Sequence, residues 1–145
     1  MNDMIDMEKI KESLSILKPD GQLFEIRIMK GKQIISGYFT DSDTLEQAFS
    51  TVDLRGTNIF YTLNVVNPDC YSREQKDCFR VSKVTTGDKD IDSYQWMLVD
   101  LDPVRKTGIS STNEEVTKAY EMAKRVVEYL REREYPAPIM ALSGN

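Results

Sequence analysis

The run from Trp96 to Pro103 constrains the fold of this chain more than any other stretch of the sequence. Its first four residues are apolar, Asp100 and Asp102 follow, and the proline stops a strand from continuing. An apolar stretch without alternation predicts a strand buried on both faces, near the centre of a sheet. Because strand side chains alternate between faces, we expect Asp100 and Asp102 on one face, their backbones about 6.6 Å apart.

Two carboxylates on one face repel each other unless a cation or a hydrogen-bond donor neutralises them. The pair is therefore a candidate ligand set for Mg²⁺ or Mn²⁺, which prefer oxygen ligands. The alternative is an ordinary strand-ending turn at Asp102-Pro103, with Asp100 bonded to backbone amides or paired with Arg105. The two aspartates alone leave both interpretations open.

Composition limits the function classes open to this chain. Its 145 residues, 40% hydrophobic and 30% charged, suit one globular domain with a real core. The net charge of −5 provides no overall basic field, so any contact with nucleic acid has to be local. No stretch is apolar and long enough for a membrane span, and the acidic start is unlike a signal peptide, which favours a cytoplasmic protein without membrane contact.

The inventory of reactive side chains narrows the chemistry further. Histidine is absent, and the cysteines are Cys70 and Cys78 alone. The sequence therefore supports neither a zinc-ligand pattern nor a disulfide framework, and it excludes mechanisms that need a Ser-His or Cys-His pair. Carboxylate and metal chemistry remain.

The pattern of elements predicts an α+β fold, a mixed α/β sandwich with a central sheet flanked by helices. Asn64 is the polar exception in one apolar strand, and overlapping capping boxes at Ser111 and Thr112 open the longest helix. The predicted elements are a helix over residues 4–17, a hairpin of strands 23–29 and 33–40, a helix capped by Asp43 and Glu46, a well-buried strand over 57–66, the strand at 96–102, a helix from about 111 to 133, and a short strand over 139–142.

Four basic residues between the strands 57–66 and 96–102 have helical spacing. They are Arg73, Lys76, Arg80 and Lys83, and they would align on one helical face. We favour a solvent-exposed face because acidic residues dilute the charge nearby, and a phosphate-facing stripe is the alternative.

Several segments together resemble the amino-terminal half of the archaeo-eukaryotic primase superfamily, in its phage and mobile-element primase-polymerase type. In chain order they read LFEIRIM, SGYFTD, YTLNVVNPD, WMLVDLDPVRKTGISSTNEE and ALSGN, and they extend over residues 20–145. The block from Leu98 to Glu115 and the final S-G-N are specific in combination. The resemblance implies a DNA primase or polymerase that makes or extends primers from nucleoside triphosphates on a single-stranded DNA template, with a helicase domain or subunit as a further partner.

The same resemblance implies roles for four residues. Asp100 and Asp102 would be the first catalytic motif and ligate the Mg²⁺ or Mn²⁺ ions of a two-metal site, while Arg105 and Ser143 would contact the nucleotide. Family members continue S-G-N as S-G-N-G-x-H and carry another metal-ligating aspartate beyond it. We therefore expect residues 1–145 to be part of a catalytic domain, with a helix over 1–20 and a core over 21–145, that binds Mn²⁺ weakly and is inactive alone.

Two other functions match parts of the pattern. Haloacid-dehalogenase-type phosphatases carry a D-x-D-x-[TV] motif, which residues 100–104 match, with Asp100 as the nucleophile. That motif normally opens its domain, whereas here only the residues after Val104 remain for the other motifs. The third interpretation is a non-catalytic module that binds nucleic acid or protein.

Overall fold

The computed structural model of the chain describes residues 5–19, 21–106 and 108–141. They belong to two compact units, the first ending at Met97 and the second beginning at Leu98. The fold is α+β, as the sequence predicts, with a four-stranded antiparallel sheet and three helices in the described part of the chain. No helix among these residues is long and apolar enough to cross a membrane.

The first unit contains two helices and six strands among its described residues. The elements in chain order are α1 (Met7–Leu17), β1 (Phe24–Lys30), β2 (Gln33–Phe39), α2 (Ser42–Phe49), β3 (Asn58–Tyr61), β4 (Val65–Val66), β5 (Arg80–Val81) and β6 (Ile91–Ser93). Short 3-10 helices lie at Pro68–Ser72 and Asp88–Asp90. Strands β3, β1, β2 and β5 form the antiparallel sheet in that order, and β4 pairs with β6 in a separate two-stranded sheet.

The alternation along β1 divides the larger sheet into two faces. Phe24, Ile26 and Ile28 are buried in one core cluster with residues of α1 and α2, including Leu14 and Leu45. Because side chains alternate, Glu25, Arg27 and Met29 lie on the opposite face. The predicted hairpin is confirmed, and residue 31, a glycine with φ of +60°, occupies its tight turn.

The helix starts follow local capping chemistry. Asp41, two residues before the predicted cap at Asp43, accepts a 2.7 Å hydrogen bond from the amide of Thr44 at the start of α2. The predicted partner Glu46 instead forms an ion pair with Lys11 of α1. In the second unit, helix α3 (Asn113–Arg131) begins at a capping box formed by residues 112 and 115, which confirms the predicted start.

Three predicted strands differ in the structure. The stretch over 57–66 forms two short strands, β3 and β4, and β3 is exposed along its length rather than well buried. The stretch from Trp96 to Val99 forms no strand, and residues 139–141 form none either, while Leu142 lies outside the described residues. An apolar run is a strand only where a neighbouring strand accepts its hydrogen bonds, and no described residue pairs with these runs.

Two expectations for helices also change. The four basic residues share no helical face, because Arg73 follows a 3-10 helix and Arg80 lies in β5. No residue of α3 is fully buried, although apolar residues recur along it at helical spacing. Helical spacing shows which residues share a face only if the backbone is helical, and it does not show what covers that face.

Candidate functional site

Asp100 and Asp102 lie in a segment without regular secondary structure near the start of the second unit. Both residues are exposed, and among the described residues neither takes part in a hydrogen bond or an ion pair. Since no sheet holds this segment, the shared-face geometry expected of a strand is not imposed on the two carboxylates. The turn interpretation, with Asp100 bonded to amides or to Arg105, finds no such contact in the described residues.

The carboxylate oxygens of Asp100 and Asp102 suit a hard divalent cation and would form part of its ligand set. Protein sites for Mg²⁺ commonly supply one or two carboxylates, and substrate phosphates and water complete the coordination. Within residues 5–19, 21–106 and 108–141 there is no cluster of three or more histidine, cysteine, aspartate or glutamate side chains placed to hold a metal. Asp100 and Asp102 therefore offer two oxygen ligands, and a complete site needs others.

Arg105 and Ser143 are the two residues predicted at the nucleotide. The Nη1 of Arg105 donates a 3.0 Å hydrogen bond to the backbone oxygen of Ile109, and the side chain is exposed. This contact closes a short loop and does not neutralise either aspartate. Ser143 lies outside the described residues.

A groove of about 490 Å³ in the first unit was not anticipated from the sequence. It lies on the sheet face opposite the core, between β1, β3 and the segment that follows β5. Phe60, Tyr61 and Tyr94 contribute aromatic side chains to its wall, and Phe60 and Tyr94 are 51% and 79% exposed. Its lining includes Glu25, Arg27, Phe60, Asn64, Thr86 and Tyr94.

Glu25 and Arg27 provide the charged groups of this groove. The Glu25 side chain is fully buried, and its Oε2 accepts hydrogen bonds from Nη2 of Arg27 at 2.8 Å and from the amide of Thr86 at 3.0 Å. Arg27 also donates to the backbone oxygen of Thr86 at 3.0 Å. The pair therefore ties Thr86 to the sheet. Among the residues that the structure describes, Glu25 Oε1 and Arg27 Nε are buried without a hydrogen-bond partner.

A second network holds the adjacent turn. Arg73 donates from Nη1 to the hydroxyl of Tyr38 and from Nη2 to Oδ1 of Asp90, the latter at 3.0 Å. The amide of Gly87 and then the Arg73 guanidinium hold the pKa of Asp90 below its ordinary value. Burial raises the pKa of Tyr38. Both guanidinium ends of Arg73 are thus bonded within the unit, which disfavours the phosphate-facing alternative for this residue.

A comparison of the chain with models of known protein families, with curated proteins and with solved structures finds no match. No relative therefore assigns the aspartate pair or the groove to a known activity. The function has to be inferred from the residues and their surroundings.

Proposed function

We propose that this chain is the amino-terminal part of a primase-polymerase catalytic domain and that Asp100 and Asp102 are its first metal ligands. One observation carries the proposal: among the described residues both carboxylates are exposed and without a hydrogen-bond or ion-pair partner. A turn would use these oxygens to satisfy backbone amides, whereas a ligand pair keeps them available. The α+β architecture and the ordered segments from LFEIRIM to ALSGN add support.

In this function the substrates are nucleoside triphosphates, and a single-stranded DNA template directs their addition. Bound Mg²⁺ or Mn²⁺ supplies activation of the attacking hydroxyl and charge stabilisation of the triphosphate and its leaving group. Asp100 and Asp102 hold the metal through carboxylate oxygens. Arg105 and Ser143 are proposed beside the phosphates, and a helicase domain or subunit is proposed as a partner in replication.

Metal binding to the chain itself tests the proposal. Mn²⁺ titrated calorimetrically should bind weakly and bind more tightly when a nucleoside triphosphate is added, since phosphate oxygens complete the coordination. The double variant Asp100→Asn, Asp102→Asn should lose this binding. The matched control is Asp88→Asn, Asp92→Asn, which removes the same charge from another exposed aspartate pair and should retain it. Equal Mn²⁺ binding by both double variants would overturn the metal-ligand role.

The phosphatase alternative makes a different covalent prediction. A phosphatase that uses Asp100 as nucleophile traps beryllofluoride as a mimic of its aspartyl phosphate, whereas nucleotidyl transfer forms no such intermediate. We expect no beryllofluoride adduct at Asp100 by ¹⁹F NMR in the presence of Mg²⁺. A stable adduct that Asp100→Asn abolishes would favour the phosphatase.

One observation favours binding of single-stranded nucleic acid by the first unit as a second candidate function. Phe60 and Tyr94 are exposed beside Arg27 at the groove, and bases stack on aromatic rings and guanidinium planes. Under this candidate, Phe60→Ala, Tyr94→Ala would weaken binding of a fluorescent oligonucleotide, and Tyr129→Ala, an exposed aromatic of α3, would not. Binding that instead depends on Asp100, Asp102 and metal would count against it.

A further inference from the structure

Trp96, the only tryptophan of the chain, is held at two points in the first unit. Its backbone amide donates a 2.9 Å hydrogen bond to Oδ1 of Asn64, and its indole Nε1 donates a 3.2 Å bond to the backbone oxygen of Leu17. The amide of Gln95 donates to the same Asn64 oxygen at 3.0 Å. One side-chain oxygen thus fixes two successive amides just before the chain reaches Asp100.

Lys18 supports Asn64 from the end of α1. The residue is 6% exposed, and its Nζ donates a 2.7 Å hydrogen bond to the backbone oxygen of Asn64. Burial lowers the pKa of this ammonium group to about 8, and no ion pair involving it occurs among the described residues. Burying a cation without a carboxylate is costly. The buried ammonium group of Lys18 instead holds the backbone of Asn64, the residue whose side chain binds the Trp96 amide.

We call Lys18, Asn64 and Trp96, with their hydrogen bonds, the tryptophan anchor. Leu17 O belongs to the last turn of α1, where backbone carbonyls lack a partner within the helix. The indole N–H satisfies this carbonyl, while Asn64 lies in the connection between β3 and β4. The anchor therefore joins three segments that are far apart in sequence at the residue where the first unit is about to end.

We propose that Lys18 and Asn64 are positioning residues for Asp100 and Asp102, an inference that rests on the proposed metal-ligand function. Asp100 lies four residues beyond Trp96, so the chain that links it to the anchor has an extended length of at most about 14 Å. Fixing one end of so short a tether restricts the volume that the carboxylates sample. Less conformational freedom is then lost when they hold a cation, so metal binding and the anchor favour each other.

The coupling is measured in both directions. In the wild-type chain, saturating Mn²⁺ should slow hydrogen exchange in peptides covering Gln95 and Trp96 by about fivefold or more. Asn64→Ala should weaken Mn²⁺ affinity by the same factor, because linkage between two equilibria is reciprocal. Asn64→Asp keeps an acceptor oxygen and should retain both the protection and the affinity.

Two control variants separate positioning from general loss of stability. Leu54→Ala destabilises the core of the first unit without removing any hydrogen bond of the anchor, and it should leave Mn²⁺ affinity unchanged. Gln22→Ala removes the exposed 3.0 Å contact between Gln22 and the Gln95 side chain and should also leave it unchanged. If Asn64→Ala does not fold, Lys18→Met provides the second test, since it removes the support of Asn64 while retaining that side chain.

The possible failures are distinguishable. Mn²⁺ affinity that needs Asp100 and Asp102 but is the same in Asn64→Ala, Lys18→Met and the wild-type chain would overturn the positioning role and leave the proposed function standing. Mn²⁺ affinity that does not change in Asp100→Asn, Asp102→Asn would overturn the proposed function and the positioning role together.

Discussion

Glu25 and Arg27 lie two residues apart on one face of β1, and Nη2 of Arg27 is 2.8 Å from Oε2 of Glu25. The Glu25 side chain is fully buried, whereas that of Arg27 is 30% exposed. Because both residues also bond to the backbone of Thr86, the ion pair joins a loop to the sheet. The charges of Glu25 and Arg27 therefore form an internal cross-link of the first unit.

Replacing Arg27 by methionine should lower the free energy of unfolding by about 2 kcal/mol, because the Glu25 carboxylate stays buried without its cation. This figure is below that of a fully buried pair because Arg27 is partly exposed to solvent. Glu25→Gln combined with Arg27→Met should regain part of the loss, since the amide carries no charge. Urea unfolding followed by Trp96 fluorescence measures both. Equal stability of the single and double variants would show that Arg27 does not compensate the buried charge of Glu25.

The parts of the fold that could be predicted depend on residues close in sequence. The β1–β2 hairpin follows from alternation on both sides of a turn at Gly31, and the start of α3 follows from Thr112 and Glu115, three residues apart. The misplaced cap of α2 is an error of two residues, since Asp41 and Asp43 offer the same chemistry. Local capping rules limit the start of a helix to a few candidates without choosing among them.

The parts that could not be predicted depend on distant partners. The apolar run predicts a strand at Trp96, yet the Trp96 amide bonds to the Asn64 side chain, 32 residues away. Asn64 stood out in the sequence as a polar residue in an apolar run, and that anomaly was the available signal for the anchor. The groove gave no comparable signal, because Thr86 reaches Glu25 across 61 residues. The metal-ligand role of Asp100 stays a prediction.

Gly37 of β2 should not tolerate a side chain. A Cβ at this position would lie 2.7 Å from the backbone oxygen of Cys78 and 2.6 Å from Cε2 of Phe39, closer than van der Waals contact allows. Gly37→Ala should therefore lower the free energy of unfolding by about 2 kcal/mol, a typical cost of overpacking. Gly87→Ala is the control, because the nearest atom to its Cβ is 4.0 Å away. Equal urea midpoints for the two variants would contradict the close approach of β2 to Cys78.

Lys18 should make the chain more stable as the pH rises above about 8. Its pKa is lowered by burial from 10.5 to about 8 in the folded state, so the unfolded chain binds more protons between these values. The free energy of unfolding then increases with pH over that range. Tyr38 and Tyr61, whose pKa values burial raises, act in the opposite direction at higher pH. The comparison is therefore best made between about pH 8 and 9.5.

Lys18→Met isolates this contribution, because it removes the ammonium group and leaves both tyrosines in place. Urea unfolding of the two proteins at several pH values should give a wild-type stability that rises relative to that of Lys18→Met. Parallel pH profiles would show that Lys18 is not titrating in a buried position.

Neutralising the aspartate pair should leave the metal-free fold intact. Asp100 and Asp102 are exposed and bond to no other described residue, so Asp100→Asn, Asp102→Asn should change the free energy of unfolding by less than about 0.5 kcal/mol. Any shift should be towards higher stability, since two like charges are removed. Thermal unfolding in the presence of a chelator measures this. Adding Mn²⁺ without the chelator should raise the melting temperature of the wild-type chain and leave that of the double variant unchanged. A fall of several degrees in the metal-free Asp102→Asn variant would instead support a structural turn at Asp102-Pro103, because only a bonded carboxylate stabilises the fold without a cation.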